Sequence, residues 1–191
     1  MGRNAMMRWN ALFADLEAQA EVLEQAERAA EVQERTRAEV GALTLLDRLR
    51  PAVGLPVRLR TAGAGHLAGT LDRLGPDWAL LEQDGGREVL VRLGAVTGIG
   101  GLGRTSAVPG SLDAVTARLG LWFVLRRIAR DRSPVSLHLT DGTTLAATLD
   151  RVGADYVEVA VHAPGEARRA AAVRDVLLVP TAGLVAVRRE L

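Results

Sequence analysis

The chain has 191 residues, of which 24 are Arg, 23 are Asp or Glu, and none is Cys or Lys; the formal net charge is +1. Such a length gives one large domain or two small ones. The missing thiol excludes disulfides, thiolate metal sites and a cysteine nucleophile, and a near-zero charge gives no global field to steer an anionic partner.

All the basic residues are Arg, and Ile occurs only at Ile99 and Ile128, while Ala, Leu, Val and Gly abound. This reads as the coding bias of a GC-rich bacterial genome, so Arg abundance by itself is no sign of phosphate recognition. The longest strongly apolar run, Leu119 to Leu125, falls short of the roughly 20 residues that span a bilayer. The start has no apolar signal core and turns acidic at Asp15 and Glu17. The expectation is a cytoplasmic protein with no export signal and no membrane partner.

In chain order, the first element is a long helix over 1–40. From Asn10 to about Arg50 there is no Pro and one Gly, Gly41. Asn10 is a suitable N-cap, and Ala, Glu, Gln, Leu and Arg are strong helix formers. Leu12, Leu16, Ala20, Leu23, Ala26 and Ala30 recur near heptad spacing. Gln19, Gln33 and Arg37 interrupt that seam, which makes a weak coiled coil. Residues 10–40 are therefore expected either to bind a protein partner or a second copy, or to lie along their own domain. Gly41 marks a break. A short helix through Leu43, Leu45, Leu46 and Leu49 follows, ended by Pro51 and Gly54.

An internal repeat comes next. Residues 56–81 align without a gap on 134–159 at a constant offset of 78, with 11 of 26 positions identical. Pro56-Val57-Arg58-Leu59 becomes Pro134-Val135-Ser136-Leu137, and Leu71-Asp72-Arg73 becomes Leu149-Asp150-Arg151. Gly75-Pro76-Asp77-Trp78 becomes Gly153-Ala154-Asp155-Tyr156. The match runs back into Leu43–Arg48 and Leu121–Arg126, so each repeat begins with a short apolar helix. Within a repeat, period-2 alternation predicts five short strands. Turns fall at Asp84-Gly85-Gly86, Asp141-Gly142 and Ala163-Pro164-Gly165-Glu166. The last two strands of the second copy, near Val176–Val179 and Leu184–Val187, are offset by 88, so its middle hairpin is longer.

The fold class expected is α+β, mainly β: a long N-terminal helix (1–40), a first small barrel with its helix (41–100), a linker (101–112) and a second (113–191). Five short strands per copy suit an SH3-like barrel, closed to protect its edges.

A short helix followed by five bent strands resembles the Sm/LSm small-barrel family. The best-matched stretch is Leu139-Thr140-Asp141-Gly142-Thr143-Thr144-Leu145-Ala146-Ala147-Thr148-Leu149, with Gly69-Thr70-Leu71 in the first copy. The resemblance implies association through edge strands, in a ring or pseudo-ring, and often RNA binding at two loops. The base-reading Asn of the family is replaced by Ala79 and Val157, and its adjacent Arg-Gly by Arg92-Leu93-Gly94 and Pro180-Thr181-Ala182. The family's RNA pocket is therefore not expected.

Charge is concentrated in one place: residues 111–133 hold five Arg against two acids. Arg118, Arg126, Arg127, Arg130 and Arg132, with Arg92, are the candidate nucleic-acid-binding residues for weak electrostatic contact with RNA or DNA; a solvated helix face is the plainer reading. Trp78 and Tyr156 share a repeat position and are candidate stacking residues, or else barrel-wall aromatics. His66, His138 and His162 lack metal-ligand spacing. Asp72/Asp150 and Asp77/Asp155 are read as residues that cap or close bends. Gly98–Gly103 follows a strand but leads into no phosphate-loop Lys. No catalytic constellation, cofactor or metal site is expected, and the chain is read as a non-enzymatic regulatory or adaptor module. The rival reading is a scaffold that homo-oligomerises through its helix and edge strands.

Overall fold

The computed structural model describes residues 2–111, 116–163 and 173–189. The turn expected at Ala163-Pro164-Gly165-Glu166 lies almost wholly outside the described residues, as does Leu112 of the linker. The chain divides into two compact parts, Met1–Leu43 and Thr44–Leu191.

The first part is one helix, α1 (Gly2–Gly41). It starts eight residues before the expected cap at Asn10. Nothing in Ala5-Met6-Met7-Arg8 opposes helix, and there is no Pro to stop it. It ends at Gly41, as the composition predicts. The described side chains from Leu16 to Gly41, and Phe13, are all exposed, Leu16, Val22, Leu23 and Val32 included.

The second part is an antiparallel β structure with two helices. Helix α2 (Leu45–Leu49) opens on a capping box: Thr44 Oγ1 accepts from Asp47 N at 3.2 Å, and Asp47 Oδ2 accepts from Thr44 N at 2.9 Å. A 3-10 turn containing Pro51 follows. The first repeat gives β1 (Pro56–Thr61), β2 (Gly65–Leu74), β3 (Trp78–Gln83), β4 (Arg87–Arg92) and β5 (Val96–Gly100). Helix α3 (Leu121–Asp131) opens the second repeat. It leads to β6 (Pro134–Leu139), β7 (Thr144–Val152), β8 (Tyr156–Val161), β9 (Asp175–Pro180) and β10 (Leu184–Arg189). Alternation is cleanest on β1, where Val57, Leu59 and Thr61 are buried and Pro56, Arg58 and Arg60 are not.

The ten strands form one sheet in the order β5-β1-β2-β3-β4-β10-β6-β7-β8-β9. Each repeat thus has the same internal order, its fifth strand beside its first. The sheet is open rather than closed into two barrels. The fourth strand of the first repeat pairs with the fifth strand of the second: Val91↔Ala186, Leu90↔Val187 and Val89↔Arg188. This β4–β10 joint makes the two copies continuous. Asp72 and Asp150 sit at equivalent register shifts, between Leu71 and Arg73 on β2 and between Leu149 and Arg151 on β7. A bulge adds a residue and bends its strand, so the repeated Asp marks the bend.

Two apolar clusters fill the β structure. One gathers Leu49, Val57, Leu59, Leu71, Leu81 and Val91, the other Leu121, Leu125, Val135, Leu137, Leu149 and Val159. Trp78 and Leu90, from the first repeat, belong to the second cluster, and Val185 and Ala186, from the second repeat, to the first. The copies therefore share their cores across the joint. No described helix is long and apolar enough to cross a membrane.

Candidate functional site

The features that carry chemistry meet where the two repeats join. Helix α3 has Gly120 at its N-cap, with no side chain to satisfy its first N–H groups. Asp77, in the β2–β3 turn of the first repeat, supplies the acceptor: its Oδ1 lies 2.8 Å from Leu121 N. The neighbouring Trp78 Nε1 donates to Leu119 O at 2.7 Å. Consecutive residues of one repeat thus hold the start of the other's helix.

The motif around them has a steric reason. A Cβ at Gly75 would overlap the indole of Trp78, and one at Gly153 the ring of Tyr156. Only glycine lets the aromatic fold back over the turn. The Asp backbone is also used twice: Leu93 N donates to Asp77 O at 2.9 Å, and Thr181 N to Asp155 O at 2.8 Å. These bonds tie each turn to the end of β4 or β9, while the turns themselves close through Gly75 N to Trp78 O and Gly153 N to Tyr156 O, both at 2.9 Å. Only in the first is the carboxylate seen capping a helix.

Of the candidate arginines, Arg126, Arg127 and Arg130 are exposed on α3, and Arg118 is exposed in the 3-10 turn Thr116–Arg118. Arg132 ends α3 in the left-handed region at φ 50°, with its guanidinium 3.9 Å from Asp150. Arg92 is placed differently. Its Nε donates to Leu184 O at 2.6 Å and its Nη2 to Ala182 O at 3.0 Å. It clamps the start of β10 onto β4 and stands apart from the α3 group in role. Trp78 is 8% exposed and Tyr156 38%, so only the tyrosine presents much of its ring to solvent.

The histidines are dispersed. His66 lies on β2. His162 is buried after β8, with Nε2 3.2 Å from Thr148 Oγ1 and Nδ1 3.0 Å from Ala163 O. His138, on β6, has Nδ1 3.2 Å from Thr144 Oγ1, while its buried Nε2 has no partner. Burial, and then the charge of Arg188, hold the His138 imidazole below its ordinary pKa. Two hydrogen bonds from Thr44 lower the pKa of Asp47, and bonds from Thr143 lower that of Asp141 in the β6–β7 turn.

The glycine-rich run is structural. Gly98 and Gly100 belong to β5, and Gly101, at φ +91°, turns where a Cβ would stand 2.8 Å from Pro56 O. Beyond it the chain is strapped to α2. Arg48 donates to Gly103 O, Arg104 O and Thr105 O at 2.6, 2.9 and 2.6 Å, Arg50 reaches Ser111 Oγ at 2.7 Å, and Ala107 N donates to Asp47 O at 2.7 Å. Sequence reading missed this strap and the Asp77 cap. Both join residues 40 or more apart through backbone atoms, which carry no sequence signature.

A cavity of about 300 Å³ lies along α3 at the same junction, between Phe123, Val124 and Ile128 and the outer face of β3 and β4 at Leu80 and Leu90. No family model, curated protein or solved structure matches the chain.

Proposed function

We propose that the chain is a non-catalytic scaffold module that self-associates head to tail, through the open edges of its sheet and through α1. One observation carries this reading: among the described residues, a surface that is covered in the first repeat is exposed in the second. Equivalent positions on β4 and β9 differ by 88 residues. Leu90 is 4% exposed because β10 and α3 cover it, whereas its counterpart Leu178 is 63% exposed at the free β9 edge, beside the half-exposed Tyr156. An exposed apolar edge strand invites pairing with another chain. The complementary edge is β5, counterpart of β10, at the opposite end of the sheet.

A joint of this kind is heterologous, so repeated copies build a ring or an open chain. It is weaker than the internal joint. Pro180 takes the place of the Arg92 clamp, and Glu158 the place of Leu80. The association is therefore reversible and rises with concentration. The strand order of each repeat supports the Sm-like reading, with each set of five strands as a small open barrel. Along α1, Leu16 and Leu23, seven residues apart and both exposed, share one face with Ala20 and Ala30, and such a face favours a helical partner because a helix gains stability mainly by packing. Sedimentation tests the reading. The whole chain is expected to show concentration-dependent mass above 20.3 kDa, reduced by Leu178→Lys and by removing residues 1–43; a monomer at all concentrations contradicts it.

A second reading rests on the exposed Arg126, Arg127 and Arg130 of α3: weak electrostatic binding of RNA or DNA by a regulatory module. Mixed-sequence RNA and DNA, titrated against salt, test it. The reading expects binding that falls steeply with salt and is lost on changing these three arginines to Glu. No binding at low salt contradicts it.

A further inference from the structure

We infer that a groove on the outer face of β1 binds the phosphate group of a small phosphate monoester. Period-2 alternation buries Val57, Leu59 and Thr61 of β1 and turns Arg58 and Arg60 out to solvent, about 7 Å apart along the strand. Strand pairing sets their neighbours. His66 of β2 stands directly opposite Arg60, and Gly98 and Gly100 of β5 stand opposite Arg60 and Arg58. Antiparallel partners share one face, with Cβ positions about 5 Å apart. Arg58, Arg60, His66, Gly98, Ile99 and Gly100 line a groove of about 420 Å³ at the β5 end of the sheet.

Charge selects the occupant. No acid lines the groove, and among the described residues no ion pair or hydrogen bond engages the side chain of Arg58, Arg60 or His66. Two guanidinium charges on one face with no counter-ion repel each other. A cationic occupant adds to that repulsion and a neutral one leaves it in place. A phosphate monoester carries close to two negative charges at pH 7 and offers three acceptor oxygens. It therefore matches two planar forks of N–H donors with an imidazole beside them, whereas a carboxylate matches one. The glycines make the floor. A Cβ at Gly100 would stand 3.6 Å from Nε and Nη2 of Arg58, so that guanidinium lies over bare β5 backbone. The volume is well above the ~30 Å³ share of one water, which leaves space for the organic part of the ester. The second repeat lacks this arrangement. Ser136, His138 and Thr144 replace Arg58, Arg60 and His66, and Ala186 and Arg188 replace the two glycines. The single guanidinium there is engaged, since Arg188 Nη2 donates to Gln83 Oε1 at 3.3 Å, and His138 pairs with Thr144.

The test titrates the whole chain at low salt with phenyl phosphate, inorganic phosphate, benzoate and benzyltrimethylammonium, followed by calorimetry. Because β5 is also the edge offered to a second copy, Leu178→Lys is titrated beside the parent, so that a covered edge does not hide the groove. Phenyl phosphate is expected to bind saturably, one per chain, with benzoate and the cation at least ~tenfold weaker, the loss that one charged contact represents. Inorganic phosphate is expected to compete with it more weakly. Arg58→Gln and Arg60→Gln are each expected to weaken the ester by about tenfold or more. Gly100→Glu, which sets a carboxylate beside Arg58, is expected to abolish binding, and Arg126→Gln on α3 to leave it unchanged. Circular dichroism certifies that each variant is folded. Absence of saturable binding in both the parent and Leu178→Lys overturns the inference, as does equal binding of benzoate or of inorganic phosphate, or full affinity in a folded Gly100→Glu chain. An oligothymidylate without terminal phosphates that binds as tightly as the ester, and is lost with the same two arginines, assigns the groove to a nucleic-acid backbone and also overturns it. The sedimentation mass of the unliganded chain tests self-association separately.

Discussion

The Asp77 carboxylate accepts a hydrogen bond of 2.8 Å from the backbone N–H of Leu121, 44 residues away. Asp77 belongs to the first repeat and Leu121 to the second, so the cap of one repeat's helix is a side chain of the other. Helix α3 starts on Gly120, which offers nothing of its own, whereas α2 carries a capping box within its own sequence. The same repeated aspartate therefore has different duties in the two copies.

That difference gives the first prediction. Asp77→Ala is expected to destabilise the β structure by about 1 kcal/mol, the usual cost of a lost N-cap. Asp155→Ala, which leaves the backbone bonds from Thr181 in place, is expected to stay within about 0.5 kcal/mol of the parent. Urea unfolding followed by circular dichroism makes the comparison; equal losses would refute the asymmetry.

The glycines beneath the aromatics give the second. Gly75→Ala puts a Cβ into the Trp78 indole and Gly153→Ala one into the Tyr156 ring. Overpacking of this kind costs about 1–3 kcal/mol. The loss is expected to be larger at Gly75, because Trp78 is also fixed by its bond to Leu119 O while Tyr156 is freer to swing away. Thermal midpoints of the two variants test the order.

The strap from α2 to the segment after β5 gives the third. Arg48 holds the carbonyls of Gly103, Arg104 and Thr105. Arg48→Ala frees that backbone, and trypsin is expected to cut after Arg104 sooner than in the parent. Arg48→Lys is expected to protect only in part, because an ammonium lacks the fork that reaches several carbonyls. Unchanged cleavage in Arg48→Ala would show that the strap does not hold the segment.

The fourth concerns pH. His138 lies on β6 beside Arg188 of β10, and its folded pKa is lowered from the ordinary value near 6.5. The folded state therefore favours the neutral ring. Stability is full above about pH 6.5 and is lost as pH falls through the lower folded value. His138→Gln is expected to flatten the fall in thermal midpoint between pH 7 and pH 5. The lowered Asp47 carboxyl works in a more acidic window, below its ordinary value of 3.8, so the two are separable. A fall of the same size in His138→Gln would exclude this histidine as its source.

Much of the architecture was legible. Period-2 alternation at Val57, Leu59, Val135 and Leu137, with Gly turns at 85, 86 and 142, located the strands because burial of one sheet face writes itself into side chains. The run free of Pro up to Gly41 located α1. The joining of β4 to β10 was not legible, because edge pairing is made by backbone groups common to every residue. For the same reason Arg92 looked like a free cation, and the sequence left Trp78 open between a stacking surface and a barrel wall: each is tied to a carbonyl far along the chain. The repeat held more than it first showed, since comparing Leu90 with Leu178 exposes the bare edge.

The central claim is head-to-tail pairing of β9 on β5, and the lack of any Cys allows a direct test. The internal pair Leu90↔Val187 predicts that Leu178 of one copy faces Ile99 of the next. Leu178→Cys and Ile99→Cys are prepared as separate chains, mixed, and oxidised mildly. The account predicts a disulfide-linked species of twice 20.3 kDa in the mixture and little in either chain alone. No linked species in the mixture, or equal amounts in the single chains, would contradict it.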